Sequence, residues 1–289
     1  MNDSDILLLD FDHTLYPSTL GTLKAVDDRI NLYMRTFLGF APEAADALRV
    51  ELWDKYGTTL KGLEVLHGVD RHHYCDFIHA VGEEHLPPPD PVLQDWLARV
   101  PHPVYLFTNA RLDWAVRGMR AMGLEGLLPE AEAAAAKDAV AALDAAAEDA
   151  AGGPGGAGAN GNGNGGGAAG GAVANGGGAG RTGSAMRAAR MFPRRLEGIF
   201  DIAFMDWEGK PNPAAYAKVD AHVRARHGAG TRIHFADDRM DNLESARAQG
   251  WATIWIHPHT AGPVRGDEFD RVVPALTRLD PVSLAGARG

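Results

Sequence analysis

The sequence predicts an α/β protein: a Rossmann-like parallel sheet core with helices on both faces, plus an inserted helical cap subdomain. Short apolar runs of strand length alternate along the chain with helical patterns. The runs are apolar throughout rather than alternately apolar and polar, which is typical of parallel strands buried on both faces. A long stretch of helical pattern separates the first two runs, and it exceeds what a single crossover connection needs.

Six apolar runs are predicted to form the strands of this sheet. They are residues 6–11, 104–107, 199–205, 232–236, 252–257 and the short 272–273. Two of the intervening helices have clear local signals. One carries its apolar residues on a single face, namely Leu112, Ala115, Val116, Met119 and Met122. The other begins with Asn212 as its N-cap and Pro213 at its first helical position.

The chain is predicted to divide into a core of residues 1–16 and 90–289 and a helical cap of residues 17–89. Apolar residues at helical spacing mark a first cap helix, at Val26, Ile30, Tyr33, Met34 and Phe37. A subdomain inserted after the first strand would lie over the carboxyl ends of the sheet, where open α/β sheets bind their ligands.

Residues 129–194 are predicted to be a low-complexity insert within the core. Of the 35 glycines, 17 fall in residues 151–183, a segment without enough apolar side chains to offset the entropy cost of ordering, so we expect disorder there. The Ala-rich stretch 130–150 favours an exposed helix. The stretch 181–195 carries five arginines, but without a repeated Arg-Gly pattern it does not favour a nucleic-acid-binding arm.

The charge of the chain argues against two classes of partner. Lys and Arg number 28 against 38 Asp and Glu, a net charge of −10, whereas nucleic acid polymers and anionic membranes bind clustered cations. The single cysteine, Cys75, excludes an internal disulfide framework and fits a reducing compartment. Because no signal peptide is recognisable, we expect a cytoplasmic protein. We also expect a monomer or a weak oligomer.

Polar side chains stand at the carboxyl ends of the predicted strands or in the loops beyond them. They are Asp10 and Asp12 after the first strand, Thr108 and Asn109 after the second, Lys210 before the helix that starts at Asn212, and Asp237, Asp238 and Asn242 after the fourth. Each alone is better explained as a helix cap, a turn residue or a solvated surface group. Because parallel strands bring their carboxyl ends to one edge, we expect these residues to form a single site.

The residue types in this set indicate phosphate chemistry. Carboxylates without His or Cys partners are the ligands that Mg²⁺ prefers, and Mg²⁺ completes its shell with water and phosphate oxygens. A lysine and a hydroxyl suit a phosphoryl group, and an aspartate can attack phosphorus to form an aspartyl-phosphate. The sequence therefore predicts a magnesium-dependent site for phosphoryl transfer.

Four stretches of the chain carry a family resemblance: DFDHTLYP, YGTTLKGLEVLHGVD, YLFTNA and FADDRMDNLESARAQG. With Lys210 they resemble the haloacid-dehalogenase-like (HAD) phosphohydrolases over most of the chain outside the insert. YGTTLKGL, in the predicted cap, is similar to the pyrimidine 5′-nucleotidase-like branch, which includes the yeast suppressor-of-disruption nucleotidases. The long insert departs from the family, and His13 stands at a position with no fixed role, where we expect a solvated imidazole.

The resemblance implies a role for each matching residue. Asp10 would be the nucleophile, and Asp12 would protonate the leaving oxygen and later deprotonate the attacking water. The Asp10 carboxylate, the Asp12 backbone carbonyl and the Asp238 carboxylate would hold Mg²⁺. Thr108 and Lys210 would bind phosphoryl oxygens, and Lys210 would offset the charge of Asp10.

The remaining site residues would support this machinery or contact the substrate. Asp237 would stand behind the metal ligands or bind the ion through a water, and Asn242 and Asn109 would support the same site. The candidate contacts to the leaving group are Tyr16, Thr58, Thr59, Lys61 and Gly62. The alternative is that Leu60 and Leu63 pack the cap while the polar residues face water.

The sequence thus predicts a magnesium-dependent phosphomonoesterase acting on a small phosphorylated metabolite, with a pyrimidine nucleoside 5′-monophosphate implied by the resemblance. A phosphatase for sugar or vitamin phosphates and a phosphomutase are enzyme alternatives. A dehalogenase would also use an Asp nucleophile, but it needs neither magnesium nor the further acids. A catalytically weak binding protein of the same fold is the non-enzyme alternative, and the presence of every motif residue argues against it.

Overall fold

The computed structural model describes residues 5–151, 195–258 and 269–284. Its strands are β1 Asp5–Leu9, β2 Val104–Phe107, β3 Gly198–Phe200, β4 Arg232–Asp237, β5 Ala252–Ile256 and β6 Arg271–Val273. Its helices are α1 Thr22–Leu38, α2 Pro42–Tyr56, α3 Thr59–His67, α4 Arg71–His79, α5 Pro91–Arg99, α6 Leu112–Ala121, α7 Glu130–Ala135, α8 Lys137–Ala151, α9 Pro213–His227 and α10 Met240–Ala248.

The six strands form one sheet in the order β3-β2-β1-β4-β5-β6, and every neighbouring pair is parallel. β1 lies in the middle, with Leu9 opposite Leu106 of β2 and Ala236 of β4. The strand order therefore reverses at β1, which is where an open α/β sheet leaves a crevice beyond its carboxyl ends.

Helices cover both faces of the sheet. Leu7 and Leu9 of β1 pack into a core with α1 to α8, whereas Ile6 and Leu8 face a second core built with α9 and α10. Successive strand residues point to opposite faces, so an entirely apolar strand is required when both faces are buried. The predicted α/β class and its two-sided helical cover are confirmed.

The third strand is shorter than predicted. β3 ends at Phe200, and the chain then turns where the sequence predicts a strand as far as residue 205. Asp206 and Trp207 have φ values of 55° and 63°, in the left-handed region that a strand cannot contain. Apolar residues in this turn, such as Ile202 and Met205, pack into the core and imitate a strand in the sequence.

Four helices, α1 to α4, lie between β1 and α5, within the segment predicted to be the cap. α1 buries Val26, Ile30, Tyr33 and Met34 as its periodicity predicts, while Phe37 remains 48% exposed. The division into cap and core stays a prediction. The helices α1 to α4 contribute residues to the cavity at the carboxyl edge of the sheet.

The Ala-rich stretch after residue 129 is helical, as α7 and α8. The expectation of an exposed helix is wrong for one face of α8, because Val140, Leu143 and Ala147 are buried against the core. Buried Arg117 of α6 also binds α8, with its Nε donating to Asp144 Oδ1 at 2.6 Å. Residues 152–194, which hold the glycine-rich part of the predicted insert and nearly all of its arginine-rich flank, lie outside the described residues.

None of the helices in the described ranges combines the length and the apolarity that crossing a bilayer requires.

The packing of α8 can be tested with Leu143→Ala. Because Leu143 is 3% exposed, truncation should lower the free energy of unfolding by about 2–4 kcal/mol through lost apolar burial and the cavity left behind. Urea denaturation measures this loss. The matched control is Val65→Ala on α3, where the side chain is 59% exposed and a change within about 0.5 kcal/mol is expected. A negligible effect of Leu143→Ala would show that α8 does not belong to the core.

Candidate active site

The polar residues predicted from the strand ends come together at the carboxyl edge of the sheet. Asp10 follows β1, and its backbone N–H continues the pairing with β4 by donating to Ala236 O at 2.9 Å. Thr108 follows β2 in the same way, with its N–H donating to Phe200 O at 3.0 Å. The backbone pairing of the strands alone therefore brings Asp10 and Thr108 to the same edge of the sheet.

A buried lysine occupies the centre of this edge. Lys210 is 2% exposed, and its Nζ donates to Asp10 Oδ1 and to Asp237 Oδ2, both at 2.7 Å. Burial disfavours the ammonium, but the two carboxylates outweigh that cost and raise the pKa of Lys210. The rings of Phe107 and Phe235 lie 5.1 and 5.0 Å from Nζ, so the cation is also enclosed by two aromatic faces.

The backbone of Lys210 is held by Asn109. The Asn109 Nδ2 donates to Lys210 O at 2.8 Å, and Asn109 Oδ1 accepts from Lys210 N at 2.7 Å. Gly209 permits this approach, because a Cβ there would lie 2.6 Å from Asn109 Oδ1 and 2.7 Å from Ile202 Cδ1. Asn109, predicted as a supporting residue, thus fixes the loop that delivers the lysine.

Asp237 is saturated by protein donors. It is fully buried, and besides Lys210 it accepts from Arg239 N at 2.8 Å and from Asn242 Nδ2 at 3.1 and 2.9 Å. Burial raises the pKa of Asp237, and the Lys210 ammonium opposes that rise. Asn242, which the sequence places one helical turn beyond Asp238, contacts Asp237.

Asp238 differs from its neighbour because its carboxylate is partly open. Its side chain is 27% exposed, and His13 Nδ1 lies 3.8 Å away, too far for a hydrogen bond. Trp255 Nε1 donates to Asp238 O at 2.9 Å and so fixes the backbone without using the carboxylate. Burial and the charges of Asp10 and Asp237 raise the pKa of Asp238 to about 8.

Asp10, Asp237 and Asp238 form a cluster suited to a hard cation. Each contributes one carboxylate oxygen, and the three oxygens lie within 4.8 Å of one another. Lys210 can balance only one of the three carboxylates when all are ionised, and the raised pKa of Asp238 reflects the charge that remains without a further cation. Oxygen donors without nitrogen or sulfur partners are the set that Mg²⁺ prefers, and this donor set therefore fits the ion.

Thr108 presents a hydroxyl to the same edge. Its side chain is 1% exposed, and Oγ1 accepts from Ala110 N at 3.0 Å. That bond uses an acceptor site of the hydroxyl and leaves its proton available for an anionic oxygen.

Asp12 lies beside the cluster and has two side-chain donors. Tyr16 OH donates to Asp12 Oδ1, and Trp114 Nε1 donates to the same oxygen at 3.1 Å. Burial raises the pKa of Asp12, while the two hydrogen bonds oppose the rise. Tyr16 was predicted as a contact to the leaving group, but the structure directs its hydroxyl to Asp12.

A cavity of about 430 Å³ extends from the carboxylates towards α1 to α4. Among the predicted substrate contacts, Thr58 and Thr59 line it. The other three, although described, do not. Lys61 Nζ donates to Glu208 Oε1 at 2.6 Å, and Gly62 packs so tightly that a Cβ would lie 2.7 Å from Leu52 Cδ2.

Several cavity residues were not identified from the sequence. They include the aromatic pair His79 and Trp114, whose rings stack with centroids 4.9 Å apart, and two arginines, Arg49 and Arg111. Arg111 is ion-paired with Asp76 at 2.7 Å and with Asp113, so it joins α4 to α6. The one available signal was the position of Arg111 and Trp114 in the RLDW segment, which directly follows the YLFTNA stretch.

His13 lies at the mouth of the cavity. It adopts a left-handed backbone with φ of 62°, and its side chain is 26% exposed. Burial lowers the pKa of His13, which favours a neutral imidazole.

The fold and the site together define an α/β protein with an acidic, lysine-centred pocket that can accept a cation. No known family model matches the chain. In a comparison with solved structures, the chain is similar to many proteins, among them the following three at low identity. A haloacid-dehalogenase-like hydrolase from Streptococcus pneumoniae is 12% identical, with a TM-score of 0.45 and coverage of 94% of each chain.

The other two similar structures come from different organisms. The unknown transcript 4 protein of Saccharomyces cerevisiae is 14% identical, with a TM-score of 0.42 over 96% of this chain and 100% of that one. An L-2-haloacid dehalogenase from Xanthobacter autotrophicus, with chloropropionic acid covalently bound, is 12% identical, with a TM-score of 0.40 over 95% and 96%. At these scores the likeness says nothing about activity, which depends on the side chains of the site.

The central ion pairs can be tested with Lys210→Met. Removing the cation leaves two buried carboxylates facing each other, so we expect a loss of about 3–5 kcal/mol in the free energy of unfolding. Urea denaturation measures it, with Lys218→Met as the control, because the Lys218–Asp206 pair is exposed and worth at most about 1 kcal/mol. Equal losses in the two variants would contradict the central position of Lys210.

Proposed function

We propose that this protein is a magnesium-dependent phosphomonoesterase of the HAD-like kind that uses Asp10 as its nucleophile. The observation that carries the proposal is the convergence of Asp10, Lys210 and the acid cluster at the edge where Thr108 also lies. The type of reaction is inferred from the motif resemblance. The geometry supports it, because Lys210 lies at hydrogen-bonding distance from both Asp10 and Asp237.

Asp10 and Asp238 would hold the magnesium ion, with the backbone carbonyl of Asp12 as the third protein ligand that the resemblance implies. Asp238 suits this role because its carboxylate is partly open, whereas Lys210, Arg239 and Asn242 occupy the acceptor sites of Asp237. When bound, Mg²⁺ neutralises negative charge between the phosphoryl group and the carboxylates.

The residues of the chain itself perform the bond changes. An oxygen of Asp10 attacks phosphorus while the bond from phosphorus to the leaving oxygen breaks, and the proton of Asp12 passes to that leaving oxygen. A water then attacks the aspartyl-phosphate, gives its proton to Asp12 and releases phosphate from Asp10. Lys210 and the hydroxyl of Thr108 bind the phosphoryl oxygens and offset the charge that two anions bring together.

The cavity beyond the carboxylates would receive the leaving group. Its volume of about 430 Å³ is that of a small-molecule pocket. Apolar side chains, among them Leu23, Val26, Ile30 and Ile78, line it together with polar groups such as Thr58 and Arg49. This mixture suits a compact organic group with a few hydrogen-bonding atoms, and a pyrimidine nucleoside 5′-monophosphate is the substrate we propose.

A dehalogenase is the second candidate, since it too would employ Asp10 as nucleophile. Two observations favour phosphate chemistry over it. Asp12 is a second carboxyl group, held in place by two hydrogen-bond donors, and halide displacement needs no second acid. Asp238 adds to the anionic cluster a charge that a cation would neutralise and that halide displacement does not need.

Asp10→Asn tests the nucleophile. We expect the purified protein to hydrolyse para-nitrophenyl phosphate with Mg²⁺ and to lose activity with a chelator, and we expect the variant to be at least about 10³-fold slower. Asp28→Asn is the matched control, because Asp28 is an exposed α1 residue paired with Lys24. Chloride release from 2-chloropropionate that survives chelation, without phosphatase activity, would instead establish the dehalogenase.

Asp238→Asn tests the cation site without measuring turnover. For a ligand that binds only the folded protein, a concentration about 100 times the Kd adds about 2.7 kcal/mol of stability. Mg²⁺ should therefore raise the melting temperature of the protein by several degrees, and Asp238→Asn should remove most of that rise. The Asp28→Asn control should keep it. A rise that is unchanged in Asp238→Asn would place the ion elsewhere.

A further inference from the structure

Tyr16 and Trp114 approach Asp12 from two directions and meet at one atom. The phenol hydroxyl of Tyr16 donates to Asp12 Oδ1, and the indole Nε1 of Trp114 donates to the same oxygen at 3.1 Å. Within the described part of the chain, no comparable donor reaches Asp12 Oδ2. The carboxyl group is therefore held unequally, with one oxygen engaged twice and the other free.

Both donors are held firmly in place. Tyr16 is 4% exposed and its ring meets Phe11 edge-on, with centroids 5.7 Å apart. Trp114 is 1% exposed, and its indole stacks on the His79 ring at an interplanar angle of 17°. Neither side chain can turn away from Asp12 without disturbing a packed aromatic contact.

A carboxylate oxygen has about two acceptor sites, so two donors fill Asp12 Oδ1. A proton on this carboxyl group must then be carried by Oδ2. We propose that Tyr16 and Trp114 are positioning residues that orient Asp12 so that Oδ2 alone gives a proton to the leaving oxygen and takes one from water. This inference rests on the phosphomonoesterase function proposed above and adds two residues that the motif resemblance does not assign.

The orientation of Asp12 affects the two proton transfers of the proposed reaction. In the first, the proton leaves Oδ2 for the leaving oxygen as its bond to phosphorus breaks and the bond from phosphorus to Asp10 forms. In the second, water bonds to phosphorus, its proton goes to Oδ2, and the bond from phosphorus to Asp10 breaks. A poorly oriented Asp12 harms the first transfer most when the leaving oxygen is strongly basic and depends on protonation.

The test compares two substrates whose leaving groups differ in how much they need a proton from Asp12. Para-nitrophenolate is a good leaving group and needs little protonation, whereas phenolate needs more. The variants are Tyr16→Phe and Trp114→Phe, which remove the donor atom and keep an aromatic ring. Trp96→Phe is the matched control, because Trp96 is equally buried and its Nε1 donates to Leu279 O at 2.8 Å, on a contact outside the cavity.

We expect each site variant to lose about tenfold more kcat/KM on phenyl phosphate than on para-nitrophenyl phosphate, while Trp96→Phe changes both substrates alike. We also expect Trp114→Phe to have no further effect in an Asp12→Asn background, because the positioned group is then absent. Circular dichroism confirms that each variant is folded.

The possible outcomes separate this inference from the proposed function. If the unmodified protein hydrolyses both phosphates but the variants lose activity equally on the two, or lose none, the positioning role is overturned and the phosphatase stands. An undiminished effect of Trp114→Phe in the Asp12→Asn background overturns it as well. If the unmodified protein hydrolyses neither phosphate with Mg²⁺, the proposed function itself fails and the inference fails with it.

Discussion

The ammonium of Lys210 lies between two buried carboxylates, and the rest of the site is arranged around that contact. Asp10 follows β1 and Asp237 ends the neighbouring β4, so the sheet brings two like charges together in a place with little water. Removing charges from water is costly unless they are paired and hydrogen-bonded. The lysine provides this pairing at 2.7 Å on both sides, and Asn109 holds its backbone in the required place.

The site contains four aspartates with the same side chain but different hydrogen-bond partners. These partners determine which role each carboxylate can take. Asp237 is occupied by protein donors and acts as a fixed counter-charge. Asp238 keeps a partly open carboxylate. At Asp12, Tyr16 and an indole both donate to Oδ1, and Oδ2 has no side-chain donor among the described residues. Asp10 alone combines contact with the lysine and a position at the head of the cavity.

The strand ends were predictable from the sequence, because apolar runs and the polar residues that follow them are local features. The contacts between residues far apart in the sequence were not. Lys61 was expected to meet substrate, but its partner Glu208 is far away in the sequence and only the fold brings the two together. The buried face of α8 was missed because alanines predominate there, although Val140 and Leu143 stand at helical spacing. The turn after β3 was missed because its apolar residues are buried like those of a strand.

Arg117 connects α8 to the wall of the cavity. Its guanidinium is 3% exposed and donates to Asp144 Oδ1 at 2.6 Å and to His79 O at 3.1 Å, and His79 stacks on Trp114. A shortened chain whose deletion began at residue 129 would leave this guanidinium enclosed without its counter-charge. The predicted low-complexity insert therefore contains a structural boundary. The part up to the end of α8 packs into the core, so trimming for crystallisation or fusion should begin beyond residue 151.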